Sequence, residues 1–385
     1  GVTPTLMVHN MRKCIEAGIG GIETKSISEN QVSLRWQYPG NLFMDKYKHR
    51  GKLQTWETCF VSLEGALKQL KEIKPIAEEN DVRLIWNLAL EDVMDLRPFG
   101  GPPPVVDLDT WCEYIGKYKE AGADIIQVVG PCPVIISDQA PMDMPWFMDW
   151  FDEEVPKLIG TLKKATSLPV GIKNNREYYP RCKRFAEAMN KAQPDYFQMG
   201  SSVQQVFADI YTGRAVTPGP MPYIKGNVNW AVGIASANTD IPIMSAGNIE
   251  CWEDVVERMM FGANCTLLSA AIMHDGYKLI TKIVKGLEEY MEVRGLESLN
   301  DIVGCAVKEM QTNEDMFCSG GDPAEFARIM RLTEVPKETA VIQVDPEKCT
   351  GCGKCLDCPF AACPAAIRFQ SVLCPGSFPP VASCM

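Results

Sequence analysis

The residues with the clearest chemistry in this sequence are cysteines near its end. Cys349, Cys352 and Cys355 are each separated by two residues in the run VDPEKCTGCGKCLDCP. Because this spacing lets one short loop wrap three thiolates around a cubane, it predicts a 4Fe–4S cluster. Cys358 or Cys363 can supply the fourth ligand, since each precedes a proline. Zinc is the alternative, but zinc sites usually pair two C-x2-C units across a longer gap.

The number of cysteines favours a single cluster in this part of the chain. Seven cysteines lie from Cys349 onward, whereas two clusters with four cysteine ligands each would need about eight. We therefore predict one 4Fe–4S cluster, held by a ferredoxin-like segment at residues 339–385.

Two lysines lie near the ends of predicted strands much earlier in the chain. Lys173 follows the run LPVGI, and Lys25 lies within GIETKSI. A lysine held there can place its positive charge against the N1 and C2 carbonyl edge of a reduced flavin, which gains negative charge. A plain surface position is the alternative, because most lysines are exposed.

Two turns of small residues could bind a phosphate group. SAGNI (residues 245–249) and LLSAAI (267–272) each end a predicted strand and begin a helix. A phosphate needs close backbone approach and exposed N–H groups, and barrel enzymes commonly place it after their last two strands. Together the two turns predict such a site.

Cys132 is a candidate proton donor. It lies in VVGPCPV, directly after a central predicted strand, and a thiol there could give a proton opposite a hydride acceptor. The alternative is packing, because the chain has 16 cysteines and buried thiols are common.

The elements that must position these residues are short, nearly continuous apolar runs alternating with amphipathic helices. Such runs are typical of parallel strands buried on both faces, and strand-helix repetition predicts βαβ units. The runs are residues 21–27, 83–89, 124–130, 168–174, 196–201, 241–247 and 265–271. We predict a TIM (β/α)8 barrel, and since this fold has eight strands, we expect the first one upstream of Gly1.

The joints between helices and strands repeat as well. EAGIGGIE, EAGADIIQ and MFGANCTL each place a glycine in the turn that leads from a helix into the next strand. A helix end often requires a positive φ at this position, which glycine adopts readily. The repetition supports the barrel.

The chain is predicted to comprise a barrel at residues 1–300, a helical linker at 301–338 and the cysteine-rich segment. A net charge of -11 argues against a nucleic-acid partner, because phosphate backbones require clustered Lys and Arg. We find no apolar run of the roughly 18 residues that cross a bilayer. Many cysteines in a chain of this size indicate reduced thiols, so we expect a cytoplasmic protein without membrane contact.

These motifs together resemble the dihydroorotate dehydrogenase superfamily. The resemblance is greatest to the FMN and iron–sulfur, pyrimidine-reducing portion of dihydropyrimidine dehydrogenase. It rests on EAGIGGIETKSI, on GIKNN, on SAGNIECWEDVVERMMFGANCTLLSAAI and on the terminal cysteine run.

The resemblance implies an FMN-dependent oxidoreductase acting on a carbon–carbon double bond of a small substrate. Electrons would come through the cluster from a separate NAD(P)H/FAD reductase or a ferredoxin, and the chain would form a homo-oligomer. Lys25 and Cys132 would be catalytic. The FMN would be held by Lys25, Asn87, Lys173, Gly247, Asn248, Ser269 and Ala270.

One departure from the family concerns the substrate. Family members read a pyrimidine ring with two asparagines, and the corresponding positions here are Val129 and Val134. A pyrimidine would leave polar groups unpaired there, at about 1 to 3 kcal/mol each. We therefore expect a less polar or differently shaped substrate.

Three other functions are open from the sequence. True dihydropyrimidine dehydrogenation would need Asn87 or Ser201 to replace the missing asparagines. A Schiff-base lyase would use Lys173 as its nucleophile, with a structural metal in the tail. A non-catalytic electron-transfer subunit would use the barrel only for docking.

Overall fold

The computed structural model describes thirteen stretches of the chain before residue 311. They are residues 7–24, 42–44, 52–54, 61–89, 108–129, 145–173, 182–199, 202–203, 207–208, 211–212, 215–216, 221–222 and 225–310. The chain divides after Met310, so these residues all belong to the first of two units, 1–310. The predicted ferredoxin-like segment and its ligands Cys349, Cys352, Cys355, Cys358 and Cys363 lie outside the described residues.

One parallel sheet of seven strands forms the centre of this unit, and its strand order follows the chain. All neighbouring strands are parallel. The strands are β1 Gly21–Glu23, β2 Arg83–Ala89, β3 Ile125–Val129, β4 Val170–Lys173, β5 Tyr196–Met199, β6 Ile243–Ala246 and β7 Cys265–Leu267. Each one overlaps a predicted strand, so this part of the fold prediction is confirmed. Short antiparallel pairs join Leu42–Met44 to Lys52–Gln54, Ser202–Val203 to Met221–Pro222, and Phe207–Ala208 to Ala215–Val216.

Nine α-helices precede, connect and follow the strands in the described ranges. They are α1 Val8–Glu16, α2 Leu63–Glu79, α3 Leu108–Ala121, α4 Pro145–Ala165, α5 Cys182–Ala192, α6 Lys225–Ser236, α7 Trp252–Met260, α8 Ala270–Asp275 and α9 Lys278–Arg294. The α2 helix is capped at its start, because the Ser62 hydroxyl accepts a hydrogen bond from Gly65 N at 3.2 Å. No helix in these ranges is long and apolar enough to span a bilayer.

The helices pack on the outer face of the sheet. The ring of Phe185 on α5 meets Phe197 on β5 edge to face, with centroids 5.5 Å apart. Trp86 on β2 likewise contacts Tyr118 on α3, with centroids 6.4 Å apart. Burying each such ring contributes on the order of 1.5 to 3 kcal/mol. This outer layer is the main hydrophobic core of the unit.

The two ends of the sheet curve towards each other. On α1, Cys14 packs in one cluster with Ile272 of α8 and Ile280 of α9. The Thr281 hydroxyl also donates to the carbonyl of Ala17 at 3.0 Å. Elements at both ends of the described chain therefore meet, as a TIM-barrel-like fold requires. Among the described residues β1 and β7 are not paired, and the eighth strand stays a prediction.

The predicted glycine joints have the conformation that their position requires. Gly18, Gly122 and Gly262 follow α1, α3 and α7, with φ of 98°, 101° and 103°. Residues other than glycine rarely adopt such φ values. The repeated phrase is thus a backbone requirement at the amino ends of the strands, which we call the floor of the barrel.

A second device recurs at the floor and was not predicted. The side chain of the residue just before a strand accepts a hydrogen bond from a backbone N–H at the start of the neighbouring strand. The backbone N–H of the same Asp or Asn donates to the carbonyl of that neighbouring-strand residue. This reciprocal clamp is formed by Asp124 with Leu84, Asp195 with Val170 and Asn264 with Ile243. The acceptor distances are 2.9, 2.7 and 2.9 Å.

The first ten residues of the predicted linker lie against α7. This segment begins in the 3-10 turn Leu299–Ile302 and includes a second 3-10 turn, Val307–Glu309. Between these turns, Gly304 N donates to the carbonyl of Met259 at 2.9 Å and Ala306 N to that of Met260 at 3.0 Å. Residues 301–310 therefore pack with the barrel unit.

Candidate functional site

The inner face of the sheet carries polar side chains towards the carboxyl ends of the strands, which we call the mouth of the barrel. Side chains alternate along a strand, so while Trp86 and Phe197 face the helices, their neighbours face inward. The pairing places Asn87 beside Gln127 and Lys173 beside Gln198. These inward residues are Glu23, Asn87, Gln127, Lys173 and Gln198, and all but Lys173 are buried. Buried polar groups at the mouth of a barrel indicate a functional site.

An ion pair crosses the interior. Lys173 Nζ lies 2.5 Å from Glu23 Oε1, although their strands, β4 and β1, are separated by two others. Their side chains are only 22% and 6% exposed. Burial by itself would raise the pKa of Glu23, but the nearby Lys173 ammonium lowers it, and the net shift is downward. Glu23 is therefore a charged carboxylate inside the barrel.

A chain of hydrogen bonds fixes this carboxylate. Asn87 Nδ2 donates to Glu23 Oε1 at 3.1 Å and to the carbonyl of Thr24 at 2.6 Å. Gln127 Nε2 donates to Asn87 Oδ1 at 2.6 Å, and the Tyr196 hydroxyl donates to Gln127 Oε1 at 3.0 Å. The side-chain amides of Asn87 and Gln127 are therefore each fixed in one orientation.

The base of this chain depends on a glycine. Tyr196 lies across the inside of β4, and a Cβ placed on Gly171 would overlap its ring. Burial raises the pKa of the Tyr196 hydroxyl well above its ordinary value, so it stays a neutral donor. Below the polar chain the interior is apolar, with Ile85, Met244 and Tyr196 in one cluster.

Gln198 carries one of several buried polar atoms that have no hydrogen-bond partner among the described residues. Gln198 is 2% exposed, and its Oε1 accepts no hydrogen bond from the residues that the structure describes. An unpaired buried carbonyl costs about 1 to 3 kcal/mol. Since Gln198 is the strand neighbour of Lys173, this oxygen is suited to a ligand that presents an N–H group next to a negatively polarised atom.

The turn after β6 is braced by a buried arginine. Arg258 on α7 is 1% exposed, and its guanidinium donates to Ser245 Oγ at 2.8 Å, to the Gly247 carbonyl at 3.1 Å and to Asn229 Oδ1 at 2.7 Å. The turn itself contains two successive residues of positive φ, Gly247 at 98° and Asn248 at 54°. Arg258 thus holds a strained backbone in one conformation.

The predicted site residues fall into two groups. The structure places Lys173, Gly247, Asn248, Ser269 and Ala270 at or after the carboxyl ends of β4, β6 and β7, and Asn87 in the carboxyl half of β2. Parallel pairing brings these ends to the same rim. Ser269 is the residue before α8. Lys25 and Cys132 lie outside the described residues, as do Val134 and Ser201.

Several residues of this site were missed by sequence reasoning. Glu23, Gln127, Tyr196, Gln198 and Arg258 gave no motif. Gln127 and Gln198 did leave a signal, because each is the one amide within an otherwise largely apolar strand, and such a residue must find a polar environment inside the protein. Glu23 did not stand out, since further polar residues, Thr24 and Lys25, follow it directly. Arg258 left none, since charged residues on a helix are usually solvated.

Within the described residues, no group of three or more His, Cys, Asp or Glu side chains could hold a metal ion.

Val129, which stands where the resembled family has an asparagine, lies at the mouth of the barrel. Val129 ends β3 directly beside Lys173 in the sheet, and it is buried. The wall next to the lysine is therefore apolar on this side.

Comparisons with known proteins give one consistent set of relatives. No family model matches the chain. The NAD-dependent dihydropyrimidine dehydrogenase subunit PreA of Escherichia coli (strain K12) is 25% identical over 364 residues, which cover 89% of this chain and 77% of PreA. The dihydroorotate dehydrogenase B (NAD(+)) catalytic subunit of Pyrococcus furiosus is 28% identical over 161 residues, which cover 40% of this chain and 53% of that protein.

The fold has a counterpart among solved structures. The crystal structure of DHODH from Eimeria tenella, in complex with ferulenol, matches with a TM-score of 0.57 at 12% sequence identity. The match covers 78% of this chain and 82% of that chain. At this identity the likeness concerns the fold alone, and it agrees with a parallel, TIM-barrel-like α/β architecture.

Proposed function

Because this chain is a relative of the dihydroorotate dehydrogenase superfamily, as its motifs predicted, we propose that it is an FMN-dependent oxidoreductase. It would exchange a hydride with a carbon–carbon double bond of a small cyclic or unsaturated substrate. The observation that carries the proposal is the buried polar mouth, where Lys173 lies beside the unpaired Gln198 oxygen.

The enzyme class has separate support. The relatives named above are dehydrogenases, and the prediction of an oxidoreductase acting on CH–CH groups is confirmed by them. The flavin, the substrate and the electron relay are the proposed parts.

The donors and acceptors at the mouth fit the chemistry of FMN. A flavin ring has an N–H group flanked by carbonyls, and its reduced form carries negative charge along that edge. Gln198 Oε1 would accept from the N–H, and Lys173 would face the charged edge. The phosphate would lie against the turns that contain Gly247, Asn248, Ser269 and Ala270, where small residues permit close backbone approach. Lys25 follows β1 in sequence and would add a second cation.

When bound, the flavin would supply the hydride chemistry, and the protein would supply the proton and the shape of the site. Cys132 is proposed as the proton donor, because it follows β3 in the chain and strand ends of a barrel converge at its mouth. Val129 gives this region an apolar wall. The substrate is therefore proposed to be less polar than a pyrimidine.

Asn87 is proposed as a positioning residue rather than a direct contact. Its Nδ2 donates to Glu23 and Thr24, and its Oδ1 accepts from Gln127. The amide is therefore committed to the protein. This counts against Asn87 as a substitute for the asparagines that read a pyrimidine, although the name of PreA keeps dihydropyrimidine dehydrogenation as the second candidate.

The ion pair between Lys173 and Glu23 disfavours the Schiff-base alternative. A nucleophilic Lys173 would have to lose its proton and leave the buried Glu23 carboxylate uncompensated. Breaking such a buried pair costs on the order of 3 to 5 kcal/mol. The purely electron-transferring alternative would not require a polar, buried mouth.

Electron delivery is proposed to involve a partner. PreA and the Pyrococcus furiosus protein are each named as one subunit of an enzyme. We propose that a 4Fe–4S cluster held by Cys349, Cys352, Cys355 and either Cys358 or Cys363 accepts electrons from a separate NAD(P)H/FAD reductase or a ferredoxin, and that the chain forms a homo-oligomer.

The six cysteines of the described ranges are free thiols. Free thiols persist in reducing compartments, and we propose a cytoplasmic location on this basis.

The test is to purify the full chain without oxygen, extract the bound flavin and determine iron and sulfide. We expect FMN close to one equivalent per chain. The variant Lys173→Gln should bind FMN at least tenfold more weakly, because a charged hydrogen bond contributes roughly 1.5 to 3 kcal/mol. Lys163→Gln is the matched control, since Lys163 pairs with Asp195 at the floor. A wild-type chain that binds no flavin would refute the proposal.

A further inference from the structure

We propose that Glu23 sets the charge which Lys173 presents at the mouth, and that it thereby lowers the reduction potential of the flavin. This inference rests on the proposed function, because it assigns a role to Glu23 within the same site. It makes Glu23 a positioning and charge-setting residue, not a catalytic one.

The fold does not require a carboxylate at position 23. Glu23 is level with Ile85 on the neighbouring strand, and Ile85 belongs to an apolar cluster with Met244 and Tyr196 inside the barrel. Replacing a buried ion pair by apolar residues is often neutral or stabilising. An acid retained inside the barrel therefore requires an explanation other than stability.

The Glu23 carboxylate is held in place by defined hydrogen bonds. Its Oε1 receives both Lys173 Nζ at 2.5 Å and Asn87 Nδ2 at 3.1 Å. Asn87 in turn is held by Gln127 and, through it, by Tyr196. Three strands thus fix one carboxylate against one ammonium, and this leaves the pair a single geometry.

The ion pair also sets the electric field at the mouth of the barrel. A lone ammonium at the rim would stabilise the negative charge that a flavin gains on reduction, and so raise its potential. With a carboxylate in contact, the two charges largely cancel at distances beyond their separation. The lysine can still donate hydrogen bonds to a ligand while its net charge effect is small. The flavin is consequently a stronger reductant.

The test is a potentiometric titration of the bound flavin in the full chain carrying Glu23→Gln. This variant keeps the size of the side chain and an oxygen that accepts from Asn87, but it removes the charge. We expect a more positive potential, with the ratio of reduced to oxidised flavin at a fixed potential raised at least tenfold. For a two-electron couple this corresponds to about 30 mV.

The matched control is Asp195→Asn, which neutralises a carboxylate paired with Lys163 at 2.8 Å at the floor of the barrel. The reduction potential of the flavin in this control should differ from the wild-type value by less than a third of the shift expected for Glu23→Gln. If Glu23→Gln does not fold, Lys173→Gln is compared with the double variant Glu23→Gln/Lys173→Gln, and the double variant should have the more positive potential.

The outcomes separate the two proposals. Flavin bound with the same potential in wild type and Glu23→Gln, or the same in the single and double variants, would overturn the inference and leave the proposed function standing. A wild-type chain without flavin would overturn the proposed function itself.

Discussion

The floor and the mouth of this barrel are built on different rules. At the floor, glycines of positive φ and reciprocal clamps such as Asp124 with Leu84 repeat from one βα unit to the next. At the mouth no single device recurs: five strands contribute Glu23, Asn87, Gln127, Lys173 and Gln198, of which Gln198 has an oxygen without a partner among the described residues, while Glu23 and Lys173 form a buried ion pair.

The difference shows how one fold separates stability from function. The floor clamps satisfy backbone groups, and their acids are partly exposed and paired with lysines, so each contributes a modest free energy. The mouth contains groups whose burial is costly unless every neighbour is in place. Substitutions at the two ends should therefore differ both in size and in whether they disturb ligand binding.

The largest effect is expected where the mouth is braced. Arg258→Met keeps a long side chain but removes the donor to Ser245, Asn229 and Gly247. Because buried acceptors are left unpaired, we expect the free energy of unfolding to fall by about 3 kcal/mol or more. Urea unfolding of the full chain, followed by circular dichroism, measures this.

FMN affinity should fall in the same variant, because the turn that we propose to bind the phosphate loses its support. The control is Arg83→Met, which removes an arginine that is 64% exposed and that pairs with exposed Asp81. It should change stability by less than about 0.5 kcal/mol. Equal effects of the two substitutions would show that the mouth does not depend on Arg258.

The next largest effect is expected beneath the polar chain. Gly171→Ala places a methyl group where the Tyr196 ring lies, and overpacking of this kind costs about 1 to 3 kcal/mol. Displacing Tyr196 would also release Gln127, so FMN binding should weaken. Thermal unfolding and flavin titration measure the two effects.

Gly116→Ala provides the contrast. Gly116 lies inside α3, and an added Cβ meets no neighbour. Alanine is the better helix former by roughly 0.5 to 1 kcal/mol, so this substitution should stabilise the chain and leave flavin binding unchanged. If Gly171→Ala behaved in the same way, the packing of Tyr196 across β4 would be wrong.

The difference between the floor and the mouth also explains which features could be predicted from the sequence. The strands and the positive φ at Gly18, Gly122 and Gly262 were predictable, because apolar runs and glycine turns are local patterns that recur once per unit. Lys173 was predictable because a strand end in a barrel leads to the mouth. The partner Glu23 was not, since it is 150 residues away in sequence and meets Lys173 only when the sheet curves.

The remaining parts of the site fall between these limits. Gln127 and Gln198 stood out only as single polar residues within apolar strands, a signal that predicts burial but no partner. The brace at Arg258 could not be predicted, because its acceptors come from three elements that the fold alone brings together. The floor clamps were missed for another reason: an Asp or Asn before a strand is common in turns, and its partner lies in the neighbouring unit.

The smallest effect is expected at the floor, and it tests whether the clamps act on stability alone. Lys74 contacts two carboxylates, Asp124 at 2.7 Å and Glu78 at 3.4 Å. Asp124→Ala removes an ion pair and also the acceptor of Leu84 N, so we expect a loss of about 1 to 2 kcal/mol. Glu78→Ala removes only an exposed pair and should cost less than about 0.5 kcal/mol. Both variants should bind FMN as the wild type does, and a flavin affinity that fell with Asp124→Ala would mean that the two ends of the barrel are coupled.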